Sequence, residues 1–282
     1  MTALRNMAAD LAAQFRLRGS LVPRLLLVAL LQGLYVLSRL SGRSQGASLD
    51  RARGTLSRLG LSGRRAALYH PDAGWIETDL LSAAYLAKDI LVDGQYEERP
   101  GFAPTPGQTV LDVGAHHGLF ALRAAARVGP GGRVIAVEAY PPNAERLKRN
   151  AALRGQGRVA VVEAAALAAS GEAELFVTDE VSGGQTTVPR PDRAAIRVPA
   201  RTLDEILAEQ GAPHPDLIKL DIEGAALSAL AGATRALEGG PRLVMEVEGG
   251  PDKEREAADW LSRRGYNVEI VSPILYAKRG DA

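Results

Sequence analysis

Apolar runs of strand length alternate with helical stretches from about residue 108 onward, and no other feature limits the fold as strongly. Thr109–Val113 is predicted as a strand, and Leu119–Val128 follows it with helical spacing. Because parallel strands need long crossovers, this alternation predicts an α/β fold with a mostly parallel seven-stranded sheet and helices on both faces. The last two apolar segments, YNVEIV and ILYAKR, have no long helix between them, which predicts an antiparallel edge strand. Ligands of such sheets bind at the carboxyl ends of the strands.

The alternation is interrupted after Ser170. GEAELFV and the polar stretch SGGQTTVPRPDR predict a short hairpin or insertion before the rhythm resumes. Thr202 precedes LDEIL and is predicted to cap a helix that begins near Leu203, and Asn143 is predicted to cap the helix that follows the second strand of the sheet.

The N-terminal part of the chain differs in charge from the rest. Residues 1–66 hold eleven arginines, no lysine and two aspartates, a formal charge of +9, whereas the remaining residues carry −8. The apolar run at residues 25–37 is shorter than the roughly 20 residues that span a membrane. We therefore predict a basic helical extension at residues 1–66 and a catalytic domain at residues 67–282. Residues 1–45 could act as a packing cap, as a docking or homo-oligomer contact, or as a segment lying on an anionic membrane.

Composition excludes several kinds of chemistry. The chain has no cysteine, so it has no disulfide, no thiolate-bound metal and no cysteine nucleophile. This is compatible with the cytoplasm, which is the expected location, and a membrane-bound extension would place the protein on the inner face of the membrane. Nucleic acid is not an expected partner, because the basic residues are not interleaved with aromatic ones and the larger part of the chain is acidic.

The segment VLDVGAHHG, residues 110–118, follows the first strand of the predicted sheet and contains two of the four histidines in the chain. Its Asp-x-Gly-x-x-x-Gly spacing differs from the G-x-G-x-x-G fingerprint of dinucleotide-binding enzymes, which makes a nicotinamide-dependent oxidoreductase a weaker alternative. The turn resembles the cofactor loop of Rossmann-like S-adenosylmethionine-dependent methyltransferases. There, Gly114 would let the cofactor approach the backbone, and Glu138 at the end of the next strand could accept both ribose hydroxyls.

Residues 93 to 277 resemble the FkbM family of methyltransferases. The resemblance rests on VLDVGAHHG, VEAYPPNAERLKRN, ARTLDEIL, DLIKLDIEGAALSALAGA, LVMEVEG and RRGYNV, of which DLIKLDIEG is the most specific. It implies a class I methyltransferase fold, S-adenosylmethionine as cofactor with S-adenosylhomocysteine as product, and methylation of a hydroxyl on a sugar, polyketide or lipid-linked metabolite. The chain departs from the family pattern at His116, at Ala139-Tyr140 and at Ala226.

The residues expected to bind the cofactor lie in the first loop and at the following strand ends. They are Asp112, Gly114, Ala115, His116, Gly118, Glu138, Ala139, Ala165, Ala166 and Asp221, with Tyr96 added by the resemblance alone. Ala165 and Ala166 are included because small side chains permit a flat adenine ring to stack.

A hydroxyl nucleophile gains from a base that takes its proton during attack. The candidate catalytic residues are Asp221, Lys219, His116 and Glu223, with Asp221 preferred. Lys219, Asp221 and Glu223 alternate along a strand end and would point to one side if the extended conformation continued through Glu223. Two structural alternatives stay open: Lys219 could serve only as an ion-pair partner, and Glu223 could stabilise a helix N-terminus.

Glu246 and Glu248 end a neighbouring predicted strand. Together with Asp221 they could hold a divalent cation such as magnesium, or they could bind substrate hydroxyls directly. A function of another class also fits the sequence, namely a non-catalytic partner protein that keeps the methyltransferase fold and docks through its N-terminal helix.

Overall fold

The computed structural model describes residues 65–79, 96–178 and 183–280, together with residues 17–18, 58 and 82. The chain divides into two compact units, Met1–Asp93 with Asp179–Ser182, and Gly94–Thr178 with Gly183–Ala282. Within the described residues, no helix has the length and apolar character needed to cross a membrane. The apolar run at residues 25–37 lies outside them.

The first unit contains a small antiparallel sheet of β1 (Leu17–Arg18), β2 (Arg65–His70) and β3 (Gly74–Asp79). At Leu17–Arg18 the structure has a strand where a helix was predicted, because these residues pair with Ala67 and Leu68 of the β2–β3 hairpin. The hairpin itself was not predicted. The other residues of the proposed helical extension lie outside the described part of the chain, apart from residues 58 and 65–66, and the boundary after residue 66 stays a prediction.

The second unit carries the α/β fold. Its first half comprises β4 (Thr109–Val113), α1 (Leu119–Val128), β5 (Arg133–Glu138), α2 (Pro141–Arg154), β6 (Val159–Glu163), β7 (Ala165–Ala166) and β8 (Gly171–Val177). Its second half comprises β9 (Ala194–Arg201), α3 (Leu203–Glu209), β10 (Leu217–Leu220), α4 (Ala226–Ala231), α5 (Thr234–Glu238), β11 (Arg242–Glu246), α6 (Pro251–Ser262), β12 (Tyr266–Val271) and β13 (Ile274–Arg279).

Seven strands form the main sheet in the order β12-β13-β11-β10-β4-β5-β6. The five strands from β11 to β6 are parallel, and β13 is antiparallel to both β11 and β12. The predicted mostly parallel seven-stranded sheet is therefore confirmed. The antiparallel strand lies one position in from the edge, since the final hairpin folds back between β11 and the outermost strand β12.

The central strands are apolar along their whole length because helices cover both faces of the sheet. In β10 all four residues are buried, and in β5 only Arg133 is exposed. Helix α1 buries eight of its ten residues, several of them alanines whose small side chains allow close packing on the sheet. This packing holds the carboxyl ends of β4, β5, β10 and β11 along one edge.

The segment predicted as an insertion forms a second sheet in the order β7-β9-β8. The apolar stretch VAVVEAAA is divided between β6 and β7, and β7 turns away to pair with β9. Thr202 caps α3 as predicted, its Oγ1 accepting a hydrogen bond from the amide of Glu205 at 3.2 Å. The predicted cap at Asn143 is wrong, because α2 begins at Pro141 with Tyr140 in the capping position.

Candidate active site

Four strand ends meet at one edge of the sheet. The register sets Asp112 of β4 beside Lys219 of β10, and Lys219 beside Val244 of β11. The residues that follow these strands are therefore neighbours. We call residues 114–118 with Glu138 the loop side of the site, and Asp221, Glu246 and Glu248 the carboxylate side.

Gly114 is the tightest point of the loop side. Its φ is +77°, and an added Cβ would overlap the carbonyl oxygen of Asp221 and lie 2.8 Å from the carbonyl carbon. The sequence suggested that a glycine here makes room for a cofactor, but the structure supplies a different reason, the approach of the β10 backbone. Gly118 is likewise fixed by packing, since a Cβ there would lie 2.5 Å from Cδ1 of Leu147 in α2.

Glu138 ends β5 with a carboxylate that is oriented by backbone amides. His116 N donates to its Oε2 at 2.8 Å, and Tyr140 N donates to its Oε1 at 2.9 Å. Burial raises the pKa of Glu138, and these two hydrogen bonds oppose the rise. The side chain of Asn143 also hydrogen-bonds this carboxylate. Because an ionised carboxylate has about four acceptor positions, Glu138 keeps one for a ribose hydroxyl.

The two histidines of the loop have separate roles. His116 is half-buried and adopts a left-handed φ of +52°, which aims its amide at Glu138. His117 is fully buried, with its Nε2 3.1 Å from Asn143 Oδ1 and 2.8 Å from the Arg146 guanidinium. Burial, with His116 and Arg146 nearby, lowers the pKa of His117 well below its usual value, so its ring is neutral at physiological pH. Asn143 thus secures the loop instead of capping its helix.

Lys219 lies beneath the loop and is almost completely buried. Its Nζ donates to the carbonyl of Gly114 at 2.8 Å and lies 3.1 Å from Asp112 Oδ1 and 3.7 Å from Asp221 Oδ2. Burial opposes its charge, but the carboxylates of Asp112 and Asp221 outweigh that effect and raise the pKa of Lys219. Lys219 is therefore a permanent cation that joins β4 to β10, as in the ion-pair alternative, and a protonated amine cannot act as a base.

Asp112 has no solvent exposure. Burial raises the pKa of its carboxyl, and the ammonium of Lys219 opposes the rise. Because protein surrounds it on every side, its carboxylate supports the loop from below instead of reaching a ligand directly.

The carboxylate side is held together by a tyrosine. The hydroxyl of Tyr96 lies 2.9 Å from Asp221 Oδ2 and 3.2 Å from Glu246 Oε2. Burial and the charges of Asp221 and Glu248 raise the pKa of Glu246 to about 8. Burial and the charge of Glu223 raise that of Glu248 to about 7. The side chain of Asp221 is 32% exposed, so this carboxylate is open to solvent.

The predicted alternation through Glu223 is wrong. β10 ends at Leu220, and Glu223 adopts a left-handed φ of +48° in the turn before α4. The turn is tied to the insertion, because Thr186 Oγ1 donates to the carbonyl of Glu223 at 2.6 Å and accepts from Val188 N at 3.0 Å. Glu223 is therefore held through its backbone, outside the strand that carries Lys219, and its charge contributes to the raised pKa values of Glu246 and Glu248.

The alanines expected near an adenine ring are placed differently from one another. Ala139 is half-buried and directly follows Glu138. Ala165 and Ala166 are 3% and 6% exposed and pair with Ala200 and Arg201 of β9. Protein atoms therefore occupy the space around the latter two. Ala115 is buried, and its amide donates to the carbonyl of Val137 at 3.0 Å.

Sequence reasoning named Tyr96 as a cofactor contact but did not predict its hydroxyl between two carboxyl groups, and it missed the hydroxyl of Thr186 at the Glu223 carbonyl. Neither lies in a periodic segment, so no local pattern indicates their contacts. Among the described residues, no group of three or more histidine, cysteine or acidic side chains could hold a metal ion. The cation suggested for Asp221, Glu246 and Glu248 is therefore without support.

The strand order of the sheet and the glycine loop between β4 and α1 define a Rossmann-like methyltransferase fold. Residues 112–268 match the model of the methyltransferase FkbM domain. This match covers more than half of the chain, and the protein belongs to the FkbM methyltransferase family.

Three curated relatives are similar to parts of the chain. The AMB antimetabolite synthetase AmbE of Pseudomonas aeruginosa is 29% identical over 262 residues, which cover 72% of this chain and 12% of AmbE. The hexuronic acid methyltransferase AglP of Haloferax volcanii is 26% identical over 160 residues, 57% of this chain and 64% of AglP. The nocamycin O-methyltransferase of Saccharothrix syringae is 43% identical over 58 residues, 21% of each chain. The chain thus spans less than two thirds of the length of each of these relatives.

Proposed function

We propose that the protein is an S-adenosylmethionine-dependent O-methyltransferase that acts on a hydroxyl of a small molecule. The observation that carries this proposal is that Glu138, oriented by two amides at the end of β5, and the solvent-open carboxylate of Asp221, after β10, lie on either side of the loop that follows β4. The Glu138 carboxylate can accept a hydrogen bond from a diol, and the Asp221 carboxylate can accept the proton of the acceptor hydroxyl.

The residues that would hold the cofactor are Glu138, which accepts from a ribose hydroxyl, and the loop of residues 114–118, which lies beside it. When bound, S-adenosylmethionine supplies an electrophilic methyl group on a sulfonium. The protein contributes by holding the acceptor oxygen about 3 Å from that methyl carbon and by keeping other hydroxyls of the acceptor away from it. Ala139 lies next to Glu138, where a small side chain leaves room for a ring.

Asp221 is the proposed base. Its carboxylate is exposed on one side and lies 3.7 Å from Lys219 on the other, so it is placed to accept the proton of an acceptor hydroxyl. Lys219 is not the base, because its pKa is raised and its amine is protonated at physiological pH. His117 is not the base either, because it is fully buried. His116 and Glu223 are the other candidates, and backbone hydrogen bonds hold both in place: His116 N donates to Glu138, and the Glu223 carbonyl accepts from Thr186.

The acceptor belongs to the sugars, polyketides or lipid-linked metabolites. Two relatives support the first two classes, since one is named as a hexuronic acid methyltransferase and another as a nocamycin O-methyltransferase. A lipid-linked acceptor follows only if residues 1–45 lie on a membrane. Deleting these residues would then remove the protein from anionic vesicles and lower transfer to a lipid-linked acceptor. Unchanged vesicle binding and transfer would contradict this part of the proposal.

Calorimetric titration with S-adenosylhomocysteine tests the cofactor. We expect micromolar affinity, about −8 kcal/mol, and at least a 10-fold loss in Glu138→Gln, because an amide nitrogen cannot accept from a hydroxyl. The matched control is Glu163→Gln, which alters the carboxylate at the end of the adjacent strand β6, paired with Glu138 in register and bonded to Lys148. The control should bind like the unaltered protein.

The other candidate functions predict different results. A folded protein that binds no S-adenosylhomocysteine would favour a non-catalytic partner with this fold, and binding of NADH in its place would favour an oxidoreductase. A titration with and without magnesium asks whether a cation takes part, and equal affinity and equal transfer in both conditions would exclude that requirement.

A further inference from the structure

Tyr96 is held at an unusual position for a tyrosine. It is 4% exposed and has a left-handed φ of +76°, which a non-glycine residue adopts at an energetic cost. Its ring meets Phe120 edge-on at 5.9 Å, and Lys219 Nζ lies 5.3 Å from the ring centroid. Because these contacts fix the ring, they also fix the position of the hydroxyl oxygen at the carboxyl ends of the strands.

The hydroxyl lies between two carboxyl groups and has one hydrogen to donate. Its oxygen is 2.9 Å from Asp221 Oδ2 and 3.2 Å from Glu246 Oε2. Two ionised carboxylates would compete for that hydrogen and repel each other across the oxygen. If one carboxyl is protonated, it donates to the tyrosine oxygen while the tyrosine donates to the other, and both contacts are satisfied.

The surrounding charges decide which carboxyl carries the proton. The cation Lys219 is 3.7 Å from Asp221, so negative charge is stabilised there. The charged groups that act on Glu246 are mostly acidic, namely Asp221, Glu248 and Glu223, and Lys219 is the cation that also acts on it. The raised pKa of Glu246, about 8, agrees with a proton on that side.

We propose that Tyr96 is a positioning residue of the carboxylate side, which accepts a hydrogen bond from protonated Glu246 and donates one to Asp221, and thereby holds the Asp221 carboxylate in place for the acceptor. This inference rests on the proposed methyl transfer. The resemblance implied that Tyr96 contacts the cofactor, whereas this inference assigns it to the support of the base, Asp221.

The proposed step is balanced within the site. The acceptor oxygen forms a bond to the methyl carbon, the carbon–sulfur bond breaks with its electron pair on sulfur, and the hydroxyl proton passes to Asp221. The hydrogen bonds from Tyr96 and Glu246 stay in place during the step. Asp221 then releases the proton to solvent through its exposed face.

Infrared spectroscopy of the full chain tests the hydrogen-bond chain without an acceptor. At neutral pH the unaltered protein should show a protonated-carboxyl band that is absent in Glu246→Gln and shifts to higher frequency in Tyr96→Phe, since the carboxyl loses its acceptor. Tyr266→Phe is the control: it removes another buried tyrosine hydroxyl, near Arg279 in the other core cluster, and should leave the band unchanged. A band that is unaffected by Glu246→Gln, or by Tyr96→Phe, would overturn the proposal.

Binding and transfer measurements then separate this inference from the proposed function. Tyr96→Phe should bind S-adenosylhomocysteine within about 2-fold of the unaltered protein, whereas kcat should fall at least 10-fold with little change in the KM of the acceptor. The probes are methyl glycosides of a neutral hexose and of a hexuronic acid, with labelled S-adenosylmethionine. Glu246→Gln should lose less activity than Glu246→Leu, because its amide can still donate to the tyrosine oxygen.

Each result has a distinct meaning. A 10-fold loss of S-adenosylhomocysteine affinity in Tyr96→Phe would overturn the inference in favour of a cofactor contact. If the unaltered protein binds S-adenosylhomocysteine but transfers no methyl group to either glycoside, a sugar acceptor is excluded, and the infrared band still decides the arrangement of the proton.

Discussion

The loop side and the carboxylate side of the site lie at adjacent strand ends, and burial raises carboxyl pKa values on both, yet the neighbouring groups act in opposite directions. On the loop side, the neighbouring groups oppose the rise: Glu138 receives two amides, and Asp112, beneath the loop, pairs with Lys219. On the carboxylate side, acidic groups face one another, and the pKa values of Glu246 and Glu248 rise to about 8 and about 7. A carboxylate whose charge is balanced by nearby donors suits a ligand that is bound in the same way in every catalytic cycle. Carboxylates that face other acidic groups bind protons more readily, which suits a reaction that releases a proton.

The largest expected effect comes from Gly114, where the two sides touch. In Gly114→Ala the new methyl group overlaps the Asp221 carbonyl, so β4 and β10 cannot keep their register, and we expect a loss of more than about 4 kcal/mol in the free energy of unfolding, measured with urea. The control is Gly101→Ala, which has a similar φ of +88° but no atom within 4 Å of the added Cβ. It should cost about 1 kcal/mol from backbone strain alone. Equal losses in both variants would contradict a steric origin.

Removal of the cation beneath the loop should be the next largest effect. Lys219→Met leaves Asp112 buried without a counter-charge, which costs roughly 3–5 kcal/mol of unfolding free energy. Lys148→Met breaks the exposed pair with Glu163 and should cost at most about 1 kcal/mol. Adding Asp112→Asn to Lys219→Met should recover part of the loss. A double variant less stable than Lys219→Met would show that the two side chains do not compensate each other.

A pH series distinguishes the carboxylate side from the loop side. The folded-state pKa of Glu246 is raised from 4.5 to about 8, so the folded protein binds a proton that the unfolded chain releases, and this contribution to stability is lost as pH rises from about 4.5 to about 8. Glu246→Gln removes that dependence. Relative to the unaltered protein, it should therefore be more stable at pH 9 than at pH 6, by more than about 1 kcal/mol. A constant difference in urea unfolding at both pH values would contradict the prediction.

The smallest effect is expected where the insertion reaches the carboxylate side. Thr186→Val removes the donor to the Glu223 carbonyl and should cost about 1 kcal/mol of unfolding free energy. Thr187→Val, at the next and less buried position, is the matched control. If thermal unfolding gives equal shifts for both, the hydroxyl of Thr186 does not secure the turn.

The sequence predicted the fold well because the strands of a parallel sheet are buried on both faces and appear as apolar runs of strand length, as in TVLDV and RLVME. It also located Glu138 and Asp221, since acidic residues at strand ends stand out against those runs. Thr202 could be read as a cap for the same local reason.

The rest depended on contacts between distant segments. Tyr96 and Asp221 are 125 residues apart in sequence, and Thr186 meets Glu223 across 37. Glu223 was misplaced because nothing in DLIKLDIEG marks where the strand ends, and the reason for Gly114 lies in the backbone of another strand. Such features follow from packing, which a local pattern does not encode.

The position of β13 has a consequence for how the protein is made. The strand Ile274–Arg279 is inserted between β11 and β12, which precede it in the chain. During synthesis, β11 and β12 leave the ribosome without the strand that joins them, and their edges stay open until the last residues of β13 emerge. Completion of this half of the sheet therefore has to wait for the synthesis of β13, and until then the edges of β11 and β12 are open to pairing with other strands.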